Sequence, residues 1–288
     1  MSANVDFWER LLASEALVRV GFFIGVLALM MALETVFPRR VRSVSRKRRW
    51  PGNLGIVVLD SLLVRALVPA AAVGVAMVAE AKGWGVFNAF GVPTVWAIGL
   101  SVLVLDLVIY LQHVLFHAVP ALWRLHRMHH ADLDIDVTTG ARFHPIEILL
   151  SMAIKMAVVA ALGAPAVGVV IFEVLLNATS MFNHANLKLP RRLDRVLRWL
   201  VVTPDMHRVH HSAIRRETDS NFGFNLPWWD RLLGTYRDQP EKGHDGMTIG
   251  LSIFRGPGDS RLDKLLIQPF LNPPRQPLPD DKSPDGAA

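Results

Sequence analysis

Cysteine is absent from the 288 residues of the chain, and charged residues make up only 19% of them. The first absence excludes a disulfide framework, zinc–thiolate sites and iron–sulfur clusters, so any metal must be bound by His, Asp, Glu or Asn. The low charge is unusual for a soluble domain of this length, and it accompanies 51% hydrophobic residues and a mean hydropathy of +0.31. The composition therefore predicts an integral membrane protein.

The positive charge is not spread evenly, which argues against a nucleic-acid partner despite a formal net charge of +6. Seven Lys or Arg residues lie between residues 39 and 49, directly after an apolar segment. An anionic membrane surface explains a basic cluster at that position better than nucleic acid does. We therefore expect no nucleic-acid partner.

Several apolar segments approach the length of about 20 residues that a transmembrane helix needs. The candidate spans are residues 16–37, 54–79, 94–117, 146–162 and 165–183. The last two are separated by Gly163-Ala-Pro165, which indicates a tight helical hairpin. The sequence thus predicts an all-α integral membrane protein, with four to five transmembrane helices arranged in hairpins.

The distribution of Lys and Arg predicts the orientation of these spans. The basic run 39–49 should be cytoplasmic. The loop 80–93 contains Lys82 as its single Lys or Arg residue and should lie outside. Counting onwards places every histidine cluster in a cytoplasmic helical cap, with the plasma (inner) membrane as the expected location. We divide the chain into an N-terminal membrane hairpin (1–92), a histidine-rich catalytic domain (93–254) and a Pro-rich, disordered tail (255–288).

Eleven histidines are present and none lies in the first 112 residues. Eight of them form three boxes, one HxxxH and two HxxHH, in which the spacing places the rings on one helical face. One protein zinc site needs only three or four ligands, so eight histidines predict two metal ions. The box histidines are His113, His117, His126, His129, His130, His207, His210 and His211.

A polar stripe leads to the first box along the third apolar span. Asp106, Tyr110, His113 and His117 are spaced i, i+4, i+7 and i+11, and they fall within about 60° of one another on a helix. Ionisable groups within a membrane usually face a bundle interior or a functional cavity. We expect Asp106 and Tyr110 to orient ligand rings by hydrogen bonds.

Pro120 separates the first two boxes. Because proline disfavours helical continuation, the helix should end near Val119 and restart along the membrane surface. A continuous helix would put His126 about 13 Å beyond His117, too far to share a site. The break is therefore expected to turn the second box back towards the first.

These motifs and the residues around them resemble the fatty acid hydroxylase/sterol desaturase superfamily of integral-membrane di-metal oxygenases. The resemblance covers about residues 94–238, and it includes the blocks DLVIYLQHVLFH, WRLHRMHH, RFHPIE, FNHANL, TPDMHRVHHS and NFGFNLPWWDRLLGTY. It implies that the eight box histidines bind two iron ions and that His184 is a ninth ligand. His144 is implied as a ligand, as a support for a ligand, or as a helix-start residue.

The resemblance also implies the reaction. O2 is the expected co-substrate, and a membrane lipid such as a sterol or fatty acyl chain is hydroxylated or desaturated at an unactivated C–H position. Because no cytochrome b5 domain is recognisable, electrons are expected from a separate protein of ferredoxin or cytochrome b5 type. Zinc readily replaces iron at imidazole sites during expression, so zinc in an isolated sample would not contradict this assignment.

Two other functions fit the motifs less well than an oxygenase does. A zinc metallohydrolase is expected to carry a Glu beside its ligands, as in HExxH, and neither HVLFH nor HRMHH has one. A metal transporter is expected to place its ligands near the middle of the membrane, whereas the boxes here lie at one face. His244, in a Gly-rich segment, is assigned a structural role.

Overall fold

The computed structural model describes residues 14–279, and within that range it is helical apart from loops and two isolated β-bridges. The longer helices are α1 (Glu15–Val36), α2 (Arg46–Leu67), α3 (Ala71–Lys82), α5 (Thr94–Ala118), α6 (Pro120–His130), α7 (Pro145–Leu162) and α8 (Ala166–His184). The shorter ones are α4 (Val86–Ala89), α9 (Arg191–Leu197), α10 (Pro204–His210), α11 (Arg215–Thr218), α12 (Trp228–Leu232), α13 (Gly243–Gly246) and α14 (Leu262–Ile267). Two 3₁₀ helices, Thr139–Ala141 and Gln268–Phe270, complete the described elements. Five helical segments are long and apolar enough to cross a membrane, which confirms the predicted all-α membrane fold.

The predicted span 54–79 differs from the structure because it is divided between α2 and α3. Pro69 explains the break, since a proline disfavours the helical conformation of the residue before it, and α2 ends with Val68 as its C-cap. Part of the basic run predicted as a loop is also helical, because α2 begins at Arg46. The last four residues of this run are thus the first turn of α2.

Helix α8 is the most buried of the candidate spans and packs against α1, α3 and α5. In the apolar stretch of α8, 56% of the residues are buried, compared with 6% in the apolar stretch of α1. An apolar cluster that includes Leu105, Val159, Val169 and Phe172 fills the space between α3, α5, α7 and α8. Because α8 ends at His184, the best-packed helix of the bundle presents a histidine at its end.

The predicted hairpin between α7 and α8 is present and depends on close backbone contact. Gly163 ends α7 with φ of +66°, a conformation that favours glycine. A Cβ atom at Gly163 would lie 2.3 Å from the Trp84 carbonyl oxygen, and one at Gly85 would lie 2.0 Å from the Gly163 nitrogen. The two glycines therefore let the 83–85 turn pack directly on the hairpin.

The helix break at Pro120 is confirmed. Val119 has an extended conformation (φ −94°, ψ 117°) and is both the last residue associated with α5 and the N-cap of α6. Pro120 is at the first position of α6, where its missing N–H costs no helical hydrogen bond. Helices α5 and α6 consequently pack against each other.

The prediction that residues 255–288 are disordered is wrong for the part that the structure describes. Residues 262–267 form α14, which packs on α2, and the following 3₁₀ helix packs on α6. Leu265 is fully buried together with Ile56 and Met128, and Arg124 and Arg127 donate to the carbonyl oxygens of Pro269 and Gln268, so tertiary contacts hold a segment whose composition is polar and Pro-rich. Residues 1–13 and 280–288, the ends of the predicted hairpin and tail, lie outside the described range.

Candidate metal centre

Nine buried histidines lie together at the end of the bundle where α5 and α8 end and α7 begins. They form two groups, and within each group one ligand atom per residue can be chosen so that all lie within 4.8 Å of one another. Group A consists of His113, His117, His126, His130 and His210. Group B consists of His129, His184, His207 and His211. These are the nine histidines that the sequence singles out as ligands.

Each HxxHH box is divided between the two groups. In α6 the i and i+4 residues, His126 and His130, belong to group A, whereas His129 belongs to group B. The third box has the opposite division, with His207 and His211 in group B and His210 in group A. Residues four apart on a helix lie on nearly the same side, whereas the i+3 residue is rotated away from the first by about 60°. Each box therefore contributes to both groups.

The outer nitrogen of most of these rings is bound by the surrounding protein. Six histidines have Nδ1 within 2.7–3.1 Å of an oxygen that can accept its proton. The pairs are His113 with Phe222 O, His117 with Asp219 Oδ1, His126 with Glu147 Oε1, His129 with Arg142 O, His184 with Ser180 O, and His210 with Ser220 O. Since a neutral imidazole has one donor and one acceptor nitrogen, this arrangement leaves Nε2 as an unprotonated ligand atom.

The inward nitrogens fit metal ions. The Nε2 atoms of His113 and His126 are 3.1 Å apart, as are those of His129 and His184. Two nitrogens at this separation suit ligands that are each about 2.1 Å from one ion. Within the described residues, Nε2 of His210 and of His211 is buried without a hydrogen-bond partner, which is costly unless an ion occupies the space.

Burial also favours the unprotonated form of the rings. Desolvation lowers the pKa of His126 to about 3, and it lowers the pKa of His129, His130 and His207 well below the usual value. The neighbouring histidines add to the effect, since a second charge in such a cluster would be repelled. Burial thus favours the neutral form of these rings, which is the form that binds a cation.

A buried ion cluster holds the loop that follows the second box. Arg49 donates to Asp132 at 2.6 Å and to Asp136 at 2.7 Å, and Arg142 lies 3.2 Å from Asp132. Burial alone would raise the pKa of Asp132, but the two arginines outweigh it and hold that pKa well below its usual range. The basic run therefore has a structural role, because its buried Arg49 is bonded to the loop whose Arg142 carbonyl accepts from His129.

Asp106 and Tyr110 do not contact the ligand histidines in the way that we predicted. Asp106 Oδ2 accepts hydrogen bonds from Trp229 Nε1 at 2.8 Å and from Leu226 N at 3.3 Å, and the Tyr110 hydroxyl pairs with Thr235 Oγ1 at 2.8 Å. Both residues lie on the predicted helical face. That face, however, contacts the 222–236 segment at their level, and the ligand rings lie further along α5.

Of the three roles that the resemblance implies for His144, the structure shows that of the helix-start residue. Its Nδ1 accepts from Ile146 N at 3.2 Å, which caps α7, and its Nε2 lies 3.2 Å from Leu266 O. It belongs to neither histidine group. His244 also lies outside both groups and faces Asp205 at 3.7 Å, in keeping with a structural role.

Glu147 and Asp219 are site residues that the sequence reasoning missed. Glu147 is buried in the first turn of α7, beside His126, and Asp219 follows α11 beside His117. Neither position stands out by spacing, because each acidic residue reaches its histidine only through tertiary packing. The one available signal was the acidic residue three positions after His144 in RFHPIE.

Two phenylalanine rings cover both groups. Phe143 stacks on His129 with ring centroids 4.6 Å apart and planes inclined by 9°, and it also lies 6.1 Å from the ring of His126. Phe224 lies 5.1 Å from His113 and 6.0 Å from His207. Both phenylalanines belong to the apolar cluster of the bundle. The histidines therefore meet the apolar interior through aromatic rings, which exclude water.

A model of a known protein family matches the part of the chain that contains this arrangement. The fatty acid hydroxylase family model matches residues 98–235, which include all nine histidines of the two groups. No solved structure matches the chain.

Three relatives illustrate the range of similar proteins. An ornithine lipid hydroxylase from Rhizobium tropici is 29% identical over 165 residues, which is 57% of this chain and 49% of the relative. An alkylglycerol monooxygenase from Xenopus tropicalis is 27% identical over 70% of this chain and 45% of its own length. A very-long-chain aldehyde decarbonylase from Oryza sativa subsp. indica is 26% identical over 67% of this chain and 29% of its own. The matched region thus spans about half of these relatives or less.

Proposed function

We propose that the chain is a member of the fatty acid hydroxylase superfamily and that it is an O2-dependent di-iron oxidoreductase of membrane lipids. In this proposal it hydroxylates or desaturates an unactivated C–H position of a sterol, a fatty acyl chain or a related lipid. The observation that supports it most directly is the pair of buried histidine groups behind two phenylalanine rings at the end of a membrane bundle.

Group A would hold one iron ion and group B the other, through the Nε2 atoms that face inward. Iron bound in this way supplies O2 activation, which breaks C–H bonds that offer no handle for acid–base chemistry and which redox-inert zinc does not provide. The protein's own part is to hold the rings neutral and oriented. The Nδ1 hydrogen bonds to Phe222 O, Glu147 and Ser220 O do this in group A.

The apolar side of the site suits a lipid chain. Phe143 and Phe224 contact histidines of both groups, so an acyl or sterol carbon that packs against them is close to both proposed ions. These rings exclude water and leave the substrate without polar contacts there, as expected when position alone selects the carbon that reacts. Ornithine lipid hydroxylase and alkylglycerol monooxygenase, named for polar lipids, give a precedent among the relatives.

Electrons would come from a separate protein of ferredoxin or cytochrome b5 type. Group A approaches the surface at His117, whose Nδ1 pairs with an Asp219 side chain that is 33% exposed. Arg215, bonded to Asp219, and Arg216 are exposed beside it, and the Trp123 ring lies 4.8 Å from that of His117. The short path from the protein surface to His117 suits electron transfer. The exposed arginines suit contact with an acidic donor protein. By the positive-inside count this face is cytoplasmic, in an inner (plasma) membrane.

The test is oxidation of lipids by iron-loaded protein. We expect close to two iron ions per chain and, with O2 and a reductant, native lipid extracts that gain one oxygen atom or lose two hydrogen atoms by mass spectrometry. His211→Gln should abolish the reaction, whereas His244→Gln, a histidine outside both groups, should retain it. Hydrolysis products, or metal transport into vesicles without lipid oxidation, would overturn the proposal.

A further inference from the structure

An apolar surface is exposed on the part of the chain that follows the last membrane span. Seven large apolar side chains on or next to α9 and α12 are between 42% and 74% exposed. Exposed apolar patches of this kind mark contacts with a protein or a membrane. We call them the α9/α12 surface: Leu193, Val196, Trp199, Leu200, Trp228, Leu232 and Leu233.

The two halves of the α9/α12 surface form one continuous unit. Trp228 Nε1 donates to the Trp199 carbonyl oxygen at 2.7 Å. The Arg231 guanidinium lies 3.9 Å from the centroids of both the Trp199 and Tyr236 rings, and it also donates to Arg198 O. The patch is therefore held as a single face by contacts across it.

Asp106 fixes the depth of this surface in the membrane. It accepts hydrogen bonds from Trp229 and Leu226, and it lies at the middle of α5. Trp96, exposed in the first turn of α5, is placed where interfacial aromatic residues lie. Ten residues of helix separate Trp96 from Asp106, or about 15 Å. That is half the thickness of a hydrocarbon core of about 30 Å, so α12 lies at the level of the acyl chains, near the middle of the bilayer.

The backbone around α12 is adapted to a place without water. Non-helical backbone is tolerated in the hydrocarbon region only where its polar groups are satisfied by the protein. Asp230 is buried and accepts from Phe222 N at 2.8 Å, Gly223 N at 2.9 Å and Thr235 Oγ1 at 2.7 Å. Asp106 satisfies Leu226 N in the same way. The carboxylates thus act as internal acceptors for a loop inside the membrane.

The charge next to the apolar patch indicates which lipids it meets. Lys188, Arg191, Arg192 and Arg195 are exposed on and just before α9, adjacent to its apolar residues. The acidic residue of this helix, Asp194, is instead turned inward to Arg198 and Thr203. A basic, amphipathic, interfacial segment binds best where anionic headgroups lie above the acyl chains.

We propose that the α9/α12 surface is inserted into the leaflet on the histidine side of the membrane and binds anionic lipids there. The basic residues of α9 contact the headgroups, and α12 lies among the acyl chains. The segment that precedes α12 reaches the histidine groups, because its residues Phe222 and Phe224 contact His113. Lipids held by this surface are therefore next to the histidine groups, but the insertion itself does not depend on the proposed reaction.

The experiment uses single cysteines in this cysteine-free chain. Val196→Cys and Leu232→Cys, with Asp263→Cys at an exposed position of α14 as the matched control, are labelled with an environment-sensitive fluorophore in full-length protein in vesicles. We expect acyl-chain nitroxide lipids to quench positions 196 and 232, and aqueous iodide to quench position 263. Iodide quenching at 196 and 232 as strong as at 263 would overturn the insertion, provided that metal content shows a folded protein.

The lipid preference is tested by the vesicle composition. Replacing part of the phosphatidylcholine by phosphatidylglycerol should increase nitroxide quenching at position 196. The triple variant Arg191→Gln, Arg192→Gln, Arg195→Gln should lose that increase while retaining quenching at position 232. If quenching at 196 is the same in both lipids for the unsubstituted protein, the surface does not select anionic headgroups.

Discussion

Groups A and B differ in what lies behind their histidine rings. In group A, His126 and His117 are paired with the carboxylates of Glu147 and Asp219. In group B the known acceptors are neutral backbone oxygens, those of Arg142 for His129 and Ser180 for His184. Group A also has five histidines and group B four.

This difference has consequences for the bound ions. A carboxylate behind an imidazole makes it a stronger electron donor, and it typically changes metal affinity or activity by about 10- to 100-fold. Group A should therefore bind its ion more tightly and lose it less readily when one ligand is removed. Group B has no carboxylate behind its rings, so the ion that it binds should be lost first. The two ends of one cluster are thus expected to behave as unequal sites.

The largest effect should come from a change that disrupts both groups together. Inserting two alanines after Pro120 rotates α6 by about 200° and shifts it by about 3 Å relative to α5. His126, His129 and His130 would then leave both groups. We expect iron analysis of the purified variant to find almost no metal, while Val119→Ala retains it. Two ions in the insertion variant would show that the boxes converge in another way.

Ligand deletion should separate the two groups. His211→Ala leaves group B with three histidines, whereas His130→Ala leaves group A with four, as many as a complete tetrahedral site needs. We therefore expect the first variant to lose about one ion per chain and the second to retain both, measured by metal analysis after mild dialysis. Equal losses would mean that the groups do not differ in tolerance.

A smaller effect should follow from the carboxylates. Glu147→Gln keeps an acceptor for His126 but removes its charge in a fully buried position, and we expect roughly tenfold weaker binding of one ion. Asp219→Asn should weaken it less, since Asp219 is about one-third exposed and its charge is partly screened by solvent. Competition with a chelator measures both. If the two variants are indistinguishable, burial does not determine the contribution of these carboxylates.

The sequence predicted the clustered histidines better than their surroundings, and the reason lies in the range of the interactions. Helix period and box spacing are local, so they identified the eight box histidines, the break at Pro120 and the hairpin at Gly163, whereas His184 was added by the family resemblance. The partners of the rings are distant in sequence. Phe222, for example, lies 109 residues from His113, and no local pattern indicates that contact.

The wrong predictions have the same origin. The disordered tail was inferred from composition, but burial of Leu265 and hydrogen bonds from Arg124 and Arg127 to its backbone hold its first part in place. The basic run was interpreted as a signal for orientation and membrane-surface binding, although its last arginine, Arg49, is buried in an ion cluster. In both cases tertiary contacts outweigh the average character of the segment.

Asp106 provides the last and smallest perturbation of the histidine groups. Because Asp106 contacts Trp229 and Leu226 and not a ligand ring, Asp106→Asn should leave metal content and the difference between groups A and B unchanged. It should instead destabilise the 222–236 segment by about 1–3 kcal/mol, since the neutral amide is a weaker acceptor than the buried carboxylate. Thermal unfolding in detergent, with metal analysis of the same sample, measures both quantities. Loss of an ion at unchanged stability would show that Asp106 acts on the ligands after all, through the Phe222 carbonyl that accepts from His113.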